Sequence, residues 1–341
     1  MSQLSEIKIS IIIVNYNGSG FLRACLDSVN PELTDDCEVI MVDNGSVDGS
    51  AAFVHGTFSW VKVIESGKNL GFAEGNNFGV RHAKGDLIVL LNNDTIVHPG
   101  WLKGLRDAVL EEDVAAASSL IKTTGIPERY YEKNGSVNFL GQNIMRVFDE
   151  PTDIFYAGGA SMIFKRNILG EPFDNDYFVY SEDVYLGLRV RFMGLHVKHT
   201  NDSRLDHLGN GTSKHQQSGF LTFYQERNRL LNLFLFFSVT TIIRTFPYIL
   251  VNCAAKIFLA LMGRKYSLNG LLHAYGWFLV RIPLIMRKRD LLAKEKKVTD
   301  SEVIAKMSGK LTDGETLPGK IVNFIMLTYC RIVRLKVIEL S

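Results

Sequence analysis

Ile9-Ser10-Ile11-Ile12-Ile13-Val14 runs directly into Asn15-Tyr16-Asn17-Gly18, and the fold is read outward from that junction. A short, β-branched, uncharged run that stops at turn-forming residues is a strand. The same pattern recurs at Val39-Ile40-Met41-Val42, Val61-Lys62-Val63-Ile64 and Leu87-Ile88-Val89-Leu90-Leu91. These runs end in Asp43-Asn44-Gly45-Ser46, Glu65-Ser66-Gly67-Lys68-Asn69 and Asn92-Asn93-Asp94, with helix-like stretches between them. Alternation of this kind predicts βαβ units feeding a mostly parallel sheet of Rossmann-like α/β class. In such a sheet ligands bind beyond the carboxyl ends of the strands, so the four polar clusters converge on one edge.

The whole chain has 341 residues, 46% hydrophobic and 22% charged, with only 8 prolines. It has room for one large α/β domain plus an appendage or for two modest domains, and it is not disordered, collagen-like or a disulfide scaffold. Four cysteines at 25, 37, 253 and 330 show no metal spacing and are expected reduced, in a cytosolic setting. The first apolar run is short and has no basic region before it, so it is a strand and no signal peptide. The net charge of +2 hides an asymmetry: 21 Lys+Arg against 29 Asp+Glu up to residue 230, then 17 against 7. A basic, apolar back end is expected to meet a negatively charged surface. No nucleic-acid partner is expected.

Further along, 99–112 is expected to be a helix and Val114–Ile121 a strand. Residues 122–153 form an irregular excursion over the site, Ile154–Phe164 a strand broken at Gly158-Gly159, and Asp183–Phe192 a helix. After Leu230 the stretch 230–262 is almost continuously apolar, with Thr241, Thr245, Tyr248, Asn252 and Lys256 as a narrow polar stripe. Leu271–Met286 is a second such segment, followed by Arg287-Lys288-Arg289. These are expected to be helices lying in a membrane interface, against the alternative of a buried helical subdomain or dimer surface. The segment 294–316 reads as a loop. The domains expected are therefore 1–230, catalytic, and 231–341, helical, basic and membrane-associating.

Neither G-x-G-x-x-G nor G-x-x-x-x-G-K-[ST] is present, which removes a Rossmann dinucleotide site and a P-loop. What remains is a nucleotide site of another kind. Asp43 can accept from a base N–H or a ribose hydroxyl, or can simply end its strand in an Asx turn. Tyr16 offers a face for a base. Asn92-Asn93-Asp94 supplies oxygen ligands for a divalent cation shared with phosphates, or only a turn. Glu182-Asp183 favours a helix N-terminus, or supplies a general base. His207 precedes a glycine-rich stretch, and Arg227 and Arg229 bring cations.

Taken together, in order and spacing, these elements resemble glycosyltransferase family 2, of the GT-A fold. The resemblance covers residues 8–230. It rests on Ile12–Gly18, Val42–Ser50, the stretch Asn69-Leu70-Gly71-Phe72-Ala73-Glu74-Gly75-Asn76-Asn77, Leu90–Thr95, Gly158-Gly159-Ala160, Glu182-Asp183 with Arg189, His207 with Gly209 and Ser213, and Arg227-Asn228. It implies inverting transfer of a sugar from a nucleoside-diphosphate sugar to an acceptor hydroxyl, with Mg²⁺ or Mn²⁺ as cofactor. Val14, Tyr16, Asp43, Asn76, Asn77, Asn92, Asn93 and Arg227 would bind the nucleotide sugar. Asp94 and His207 would hold the metal, Asp183 would be the catalytic base, and Gly159 and Glu182 would lie near the acceptor. Asn92 replaces the usual first carboxylate of the metal motif, and Glu74 stands where a small residue is usual.

The reading is a sugar transferase on the cytoplasmic face of the plasma membrane, peripheral or monotopic, building a cell-surface glycan on a lipid-linked or polysaccharide acceptor. The motif variants resemble the rhamnosyltransferase-type branch, which makes dTDP-rhamnose a donor candidate beside UDP-sugars. A homo-oligomer is allowed. The rivals are a catalytically silent membrane scaffold and a sugar nucleotidyltransferase, the latter lacking a glycine-rich basic signature after the first strand.

Overall fold

The computed structural model describes residues 8–125, 136–144, 153–209, 218–312 and 316–340. The chain divides into two compact units. The first comprises Met1–Asn134, Val147–Asp183 and His196–His215; the second comprises Gly135–Arg146, Val184–Leu195 and Gln216–Ser341.

The first unit opens with strict alternation: β1 (Ile9–Asn15), α1 (Ser19–Val29), β2 (Cys37–Asp43), α2 (Ser50–Thr57), β3 (Val61–Glu65), α3 (Gly71–His82) and β4 (Leu87–Asn92). β5 (Thr95–Val97), α4 (Trp101–Ala108) and β6 (Val114–Thr123) follow. The short hairpin β7 (Ser136–Val137) and β8 (Asn143–Ile144) belongs to the second unit. The chain then gives β9 (Ser161–Lys165), α5 (Arg166–Leu169), α6 (Glu182–Phe192), within which the unit boundary falls, and β10 (His196–His207). The second unit is completed by α7 (Ser218–Phe236), α8 (Val239–Leu261), α9 (Leu268–Ala293), α10 (Asp300–Ile304) and α11 (Leu317–Ile332).

The eight-stranded sheet of the first unit has the order β3-β2-β1-β4-β9-β6-β10-β5. β1 to β4 are parallel, as the alternation predicts, and β10 runs parallel to β6. β9 lies antiparallel between β4 and β6, and β5 antiparallel to β10. The helix expected over 99–112 is shorter, opening after Gly100 at φ 85°. The strand expected from Ile154 begins only at Ser161, because 154–160 turns through Gly158-Gly159, where the Gly158 N–H goes to Ser118 Oγ at 3.2 Å. Part of the excursion expected over 122–153 lies outside the described residues.

β1 is buried on both faces. On one, Ile9, Ile11 and Ile13 join Leu22, Leu26 and Val29 of α1 in a single apolar cluster. Each such side chain contributes about 1.5–3 kcal/mol when fully removed from water. On the other face α3 lies so close that a Cβ on Gly79 would stand 2.5 Å from Ile12 Cγ2, and one on Gly75 3.0 Å from Val14 Cγ1. Two glycines four residues apart thus bring one side of α3 down onto the strands.

In the second unit the apolar stretch 230–262 becomes two helices. They divide at Ser238, whose Oγ accepts from the Thr241 N–H at 3.2 Å and whose own N–H goes to Asp300 at 2.7 Å. The segment 294–316 contains helix α10 and is therefore more than the loop its charge suggests. Thr299 and Glu302 close a capping box there, which offsets a composition with few apolar residues. Phe192 stacks on Phe236 at 5.9 Å, and Arg189 forks onto Glu295 at 2.7 and 2.9 Å.

Gly79→Val is expected to lower unfolding stability by about 1–3 kcal/mol, the usual cost of overpacking a tight interface. Urea unfolding checks this, and an unchanged midpoint would mean that α3 does not need the close approach.

Candidate functional site

Three parallel strands end in step: Asn15 is registered against Asp43, and Val14 against both Val42 and Asn92. Asn15 is fully buried, and its amide must find partners inside the protein. Its Nδ2 donates to Ser50 Oγ at 2.8 Å and Ser46 Oγ at 3.2 Å, and its Oδ1 accepts from Asn93 Nδ2 at 2.7 Å. One side chain therefore joins the segments that follow β1, β2 and β4. Gly18 makes room for this junction, since a Cβ there would fall 2.2 Å from Asn93 Nδ2. Asn15 is absent from the sequence-derived site residues; its signals are its place within the Ile12–Gly18 stretch and an amide at the end of an otherwise apolar strand.

Asp43 is 4% exposed. Its Oδ2 accepts from the Ser46 N–H at 3.2 Å, while Oδ1 is buried with no hydrogen-bond partner. A buried carboxylate oxygen without a donor costs roughly 1–3 kcal/mol or more, so it is fitted to receive an N–H or O–H from a bound molecule. Val14 and Tyr16, both half-buried, flank Asn15, the residue registered against Asp43. Asn44, also buried, accepts from the Leu70 N–H at 2.9 Å and donates to Gly71 O at 3.0 Å, which fixes the entry to α3.

Asp94 and His207 lie far apart in sequence and meet because β5 pairs antiparallel with β10, with Thr95 opposite His207. The Leu208 N–H donates to Asp94 O at 2.9 Å, and His207 Nε2 stands 3.2 Å from Asp94 Oδ1 and 3.5 Å from Asn92 Nδ2. Among the described residues no group of three or more His, Cys, Asp or Glu forms a metal cage. A carboxylate and an imidazole this close fit a cation whose other positions are filled by ligand oxygens and water.

Glu182 and Asp183 open α6 directly after Tyr180 and Ser181, which hold left-handed φ values of 71° and 62°. Two such non-glycine residues in succession store backbone strain. The Phe72 N–H donates to Phe178 O at 2.6 Å, tethering the approach to this turn onto the start of α3. Gly159 reaches the same place: a Cβ on it would meet the Phe72 ring at 3.5 Å. Glu182 is buried with Oε2 unpartnered; burial, and then the neighbouring Asp183 charge, push its pKa up to about 8. It keeps its proton at neutral pH.

Other expected residues have partners within the protein. Asn77 is fully buried, with Nδ2 on Phe173 O at 2.8 Å and Asn175 Oδ1 at 2.9 Å and Oδ1 on the Phe173 N–H at 3.3 Å. It anchors the 173–175 segment, and Asn76 Nδ2 bonds back to Phe72 O at 2.9 Å. Arg227 belongs to the second unit, where its guanidinium is enclosed by the rings of Phe223, Tyr224 and Trp277 at 4.6–5.3 Å. Glu74 pairs with Arg81 at 2.6 Å, so the unusual acid in the α3 motif has a local partner. Ser213 lies outside the described residues.

The mixed, mostly parallel sheet with its flanking helices has the GT-A fold. The crystal structure of GalNAc-T7 with UDP, GalNAc and Mn²⁺ matches it at a TM-score of 0.58, with 14% identity over 82% of this chain and 57% of that one. Residues 10–172 match the model of Glycosyl transferase family 2. Glycosyltransferase GlyG of Streptococcus pneumoniae serotype 4 is 29% identical over 113 residues, 32% of this chain and 37% of the relative. The O-antigen biosynthesis protein RfbC of Myxococcus xanthus is 25% identical over 218 residues, 59% of this chain and 17% of the relative. This chain thus spans well under half the length of either relative.

The raised Glu182 pKa sets a pH dependence. Between the ordinary 4.5 and about 8 the folded state holds a proton that the unfolded state has released, so stability falls as pH rises through that window. Glu182→Gln is expected to remove this slope and to gain stability most at the alkaline end. Urea titrations across the window check it; identical slopes would contradict the protonated assignment.

Proposed function

We propose that the chain is an inverting glycosyltransferase, moving a sugar from a nucleoside-diphosphate sugar to a hydroxyl of a lipid-linked or polysaccharide acceptor in cell-surface glycan synthesis. The observation that carries this reading is the shared edge of β1, β2 and β4, where Asp43 keeps a buried oxygen without a donor and Asp94 meets His207. Asp43 Oδ1 accepts from the base or ribose, with Tyr16 and Val14 beside the nucleoside. Asp94 and His207 would hold a divalent cation beside the diphosphate. The imidazole favours Mn²⁺ over Mg²⁺, and such an ion, when bound, neutralises charge on the leaving diphosphate.

Asp183 acts as general base. The acceptor oxygen forms a bond to the anomeric carbon as the bond from that carbon to the diphosphate oxygen breaks. The electron pair leaves with the diphosphate, and the acceptor proton passes to Asp183. Burial and then the neighbouring Asp183 charge raise the Glu182 pKa, and carboxyl groups whose environments set their pKa values apart can divide acid and base roles. Gly159 and Glu182 border the acceptor. Residues 1–230 would carry the reaction and 231–341 would hold the protein at the cytoplasmic face of the plasma membrane, peripheral or monotopic. The motif variants favour dTDP-rhamnose or a UDP-sugar as donor, and the RfbC similarity supports a surface glycan as product.

A panel of nucleoside-diphosphate sugars, measured for binding and transfer with and without Mn²⁺, tests the reading. One donor is expected to bind more tightly with Mn²⁺. Asp183→Asn should cut transfer by about 10²–10⁴ with nucleotide affinity retained, and Asp43→Ala should weaken the nucleotide itself. Full turnover in Asp183→Asn would remove the assigned base.

A further inference from the structure

Helix α8 turns much of its apolar surface outward, although Ile242 and Ile249 are buried, whereas a helix of a water-soluble protein turns its apolar stripe inward. Thr241, Thr245 and Lys256 are buried, whereas Ile243, Phe246, Leu250 and Phe258 are between 45% and 67% exposed. Only 17% of its most apolar stretch is buried. The same outward greasiness marks α9, with Leu279 at 64% and Val280 at 82%, and α11, with Ile321 at 52% and Phe324 at 69%. α8 and α11 lie side by side: Tyr248 Oη donates to Ile325 O at 3.3 Å, Tyr329 Oη to Arg244 O at 2.7 Å, and the two rings are 4.3 Å apart.

Inside the unit, the Glu226 carboxylate of α7 accepts from Arg229 at 2.6 and 2.9 Å, from Tyr275 of α9 at 3.1 Å and from Lys256 of α8. Ions gathered inward behind apolar outer faces is the arrangement a hydrocarbon environment selects. The charge is predominantly positive. Residues 239–293 hold eight Lys+Arg and one acid, Asp290, and 317–332 hold Lys320 and Arg331 with no acid. A second copy of so basic a surface would be repelled, whereas anionic headgroups would be attracted.

We infer that α8, α9 and α11 together form a lipid-facing seat that buries its apolar side in the headgroup–acyl boundary of an anionic bilayer, with α11 as a full member. The Glu226 cluster commits the inner side of α8 to α7, so the helix lies in the interface with one face in lipid. The inference deepens the membrane partner of the reading above and rests on it, but not on the chemistry, since lipid binding and nucleotide binding are read separately.

Flotation of the full chain tests it, using phosphatidylcholine vesicles with and without phosphatidylglycerol. Wild type should float with the phosphatidylglycerol vesicles, less so in high salt and less with phosphatidylcholine alone. Phe246→Glu combined with Phe324→Glu should lower the bound fraction constant by at least about tenfold, because two apolar side chains leave the lipid. Its melting temperature should not fall, since both rings are exposed in the protein. If it does fall, Val280→Glu carries the same test. Undiminished flotation of the variants overturns the inference. So does a wild type that fails to float but loses a dimer on substitution, which would make the face a contact between copies.

Discussion

The site depends on one buried amide. Asn15 closes β1 where no water can reach it, so its donors and acceptor must be met by protein, and the groups that meet them come from the segments after β2 and β4. Register alone would bring three strand ends to a common edge. The Asn15 junction then fixes the segments beyond them, and through Asn93 it fixes the turn that carries Asp94. Gly18 is small for the same reason, because a methyl group would occupy the position of the Asn93 amide.

Around that rigid junction the protein tolerates features that cost stability. Asp43 and Glu182 each bury a carboxylate oxygen without a donor, and Tyr180 and Ser181 hold left-handed backbone just before the acid pair. Costs of this kind concentrate where a ligand completes the hydrogen bonding or a side chain must be aimed. The buried amides of Asn44 and Asn77, by contrast, are satisfied, and those residues organise loops.

Much of this was legible in the sequence where a local pattern determines structure. The β-branched runs gave β1 to β4, and a polar residue closing an apolar strand pointed to Asp43 and to the Asn92–Asp94 turn. What depends on long-range pairing was not legible. The antiparallel insertion of β9 leaves no periodic trace, and the meeting of Asp94 with His207 needs the β5–β10 pairing. Asn76 and Asn77 matched a motif, yet the partner that commits Asn77 lies 96 residues away in sequence. The polar stripe of α8 was visible, but the side that faces the protein was not, because Glu226 attracts Lys256 inward from another helix.

The most direct measurement is a structure of the chain with a nucleoside diphosphate and Mn²⁺. The account predicts the nucleoside at the end of β2 with a donor on Asp43 Oδ1, and the ion bound by Asp94 and His207 against the diphosphate. A nucleotide seated away from the β1–β2–β4 edge, or an ion held by neither residue, would contradict it.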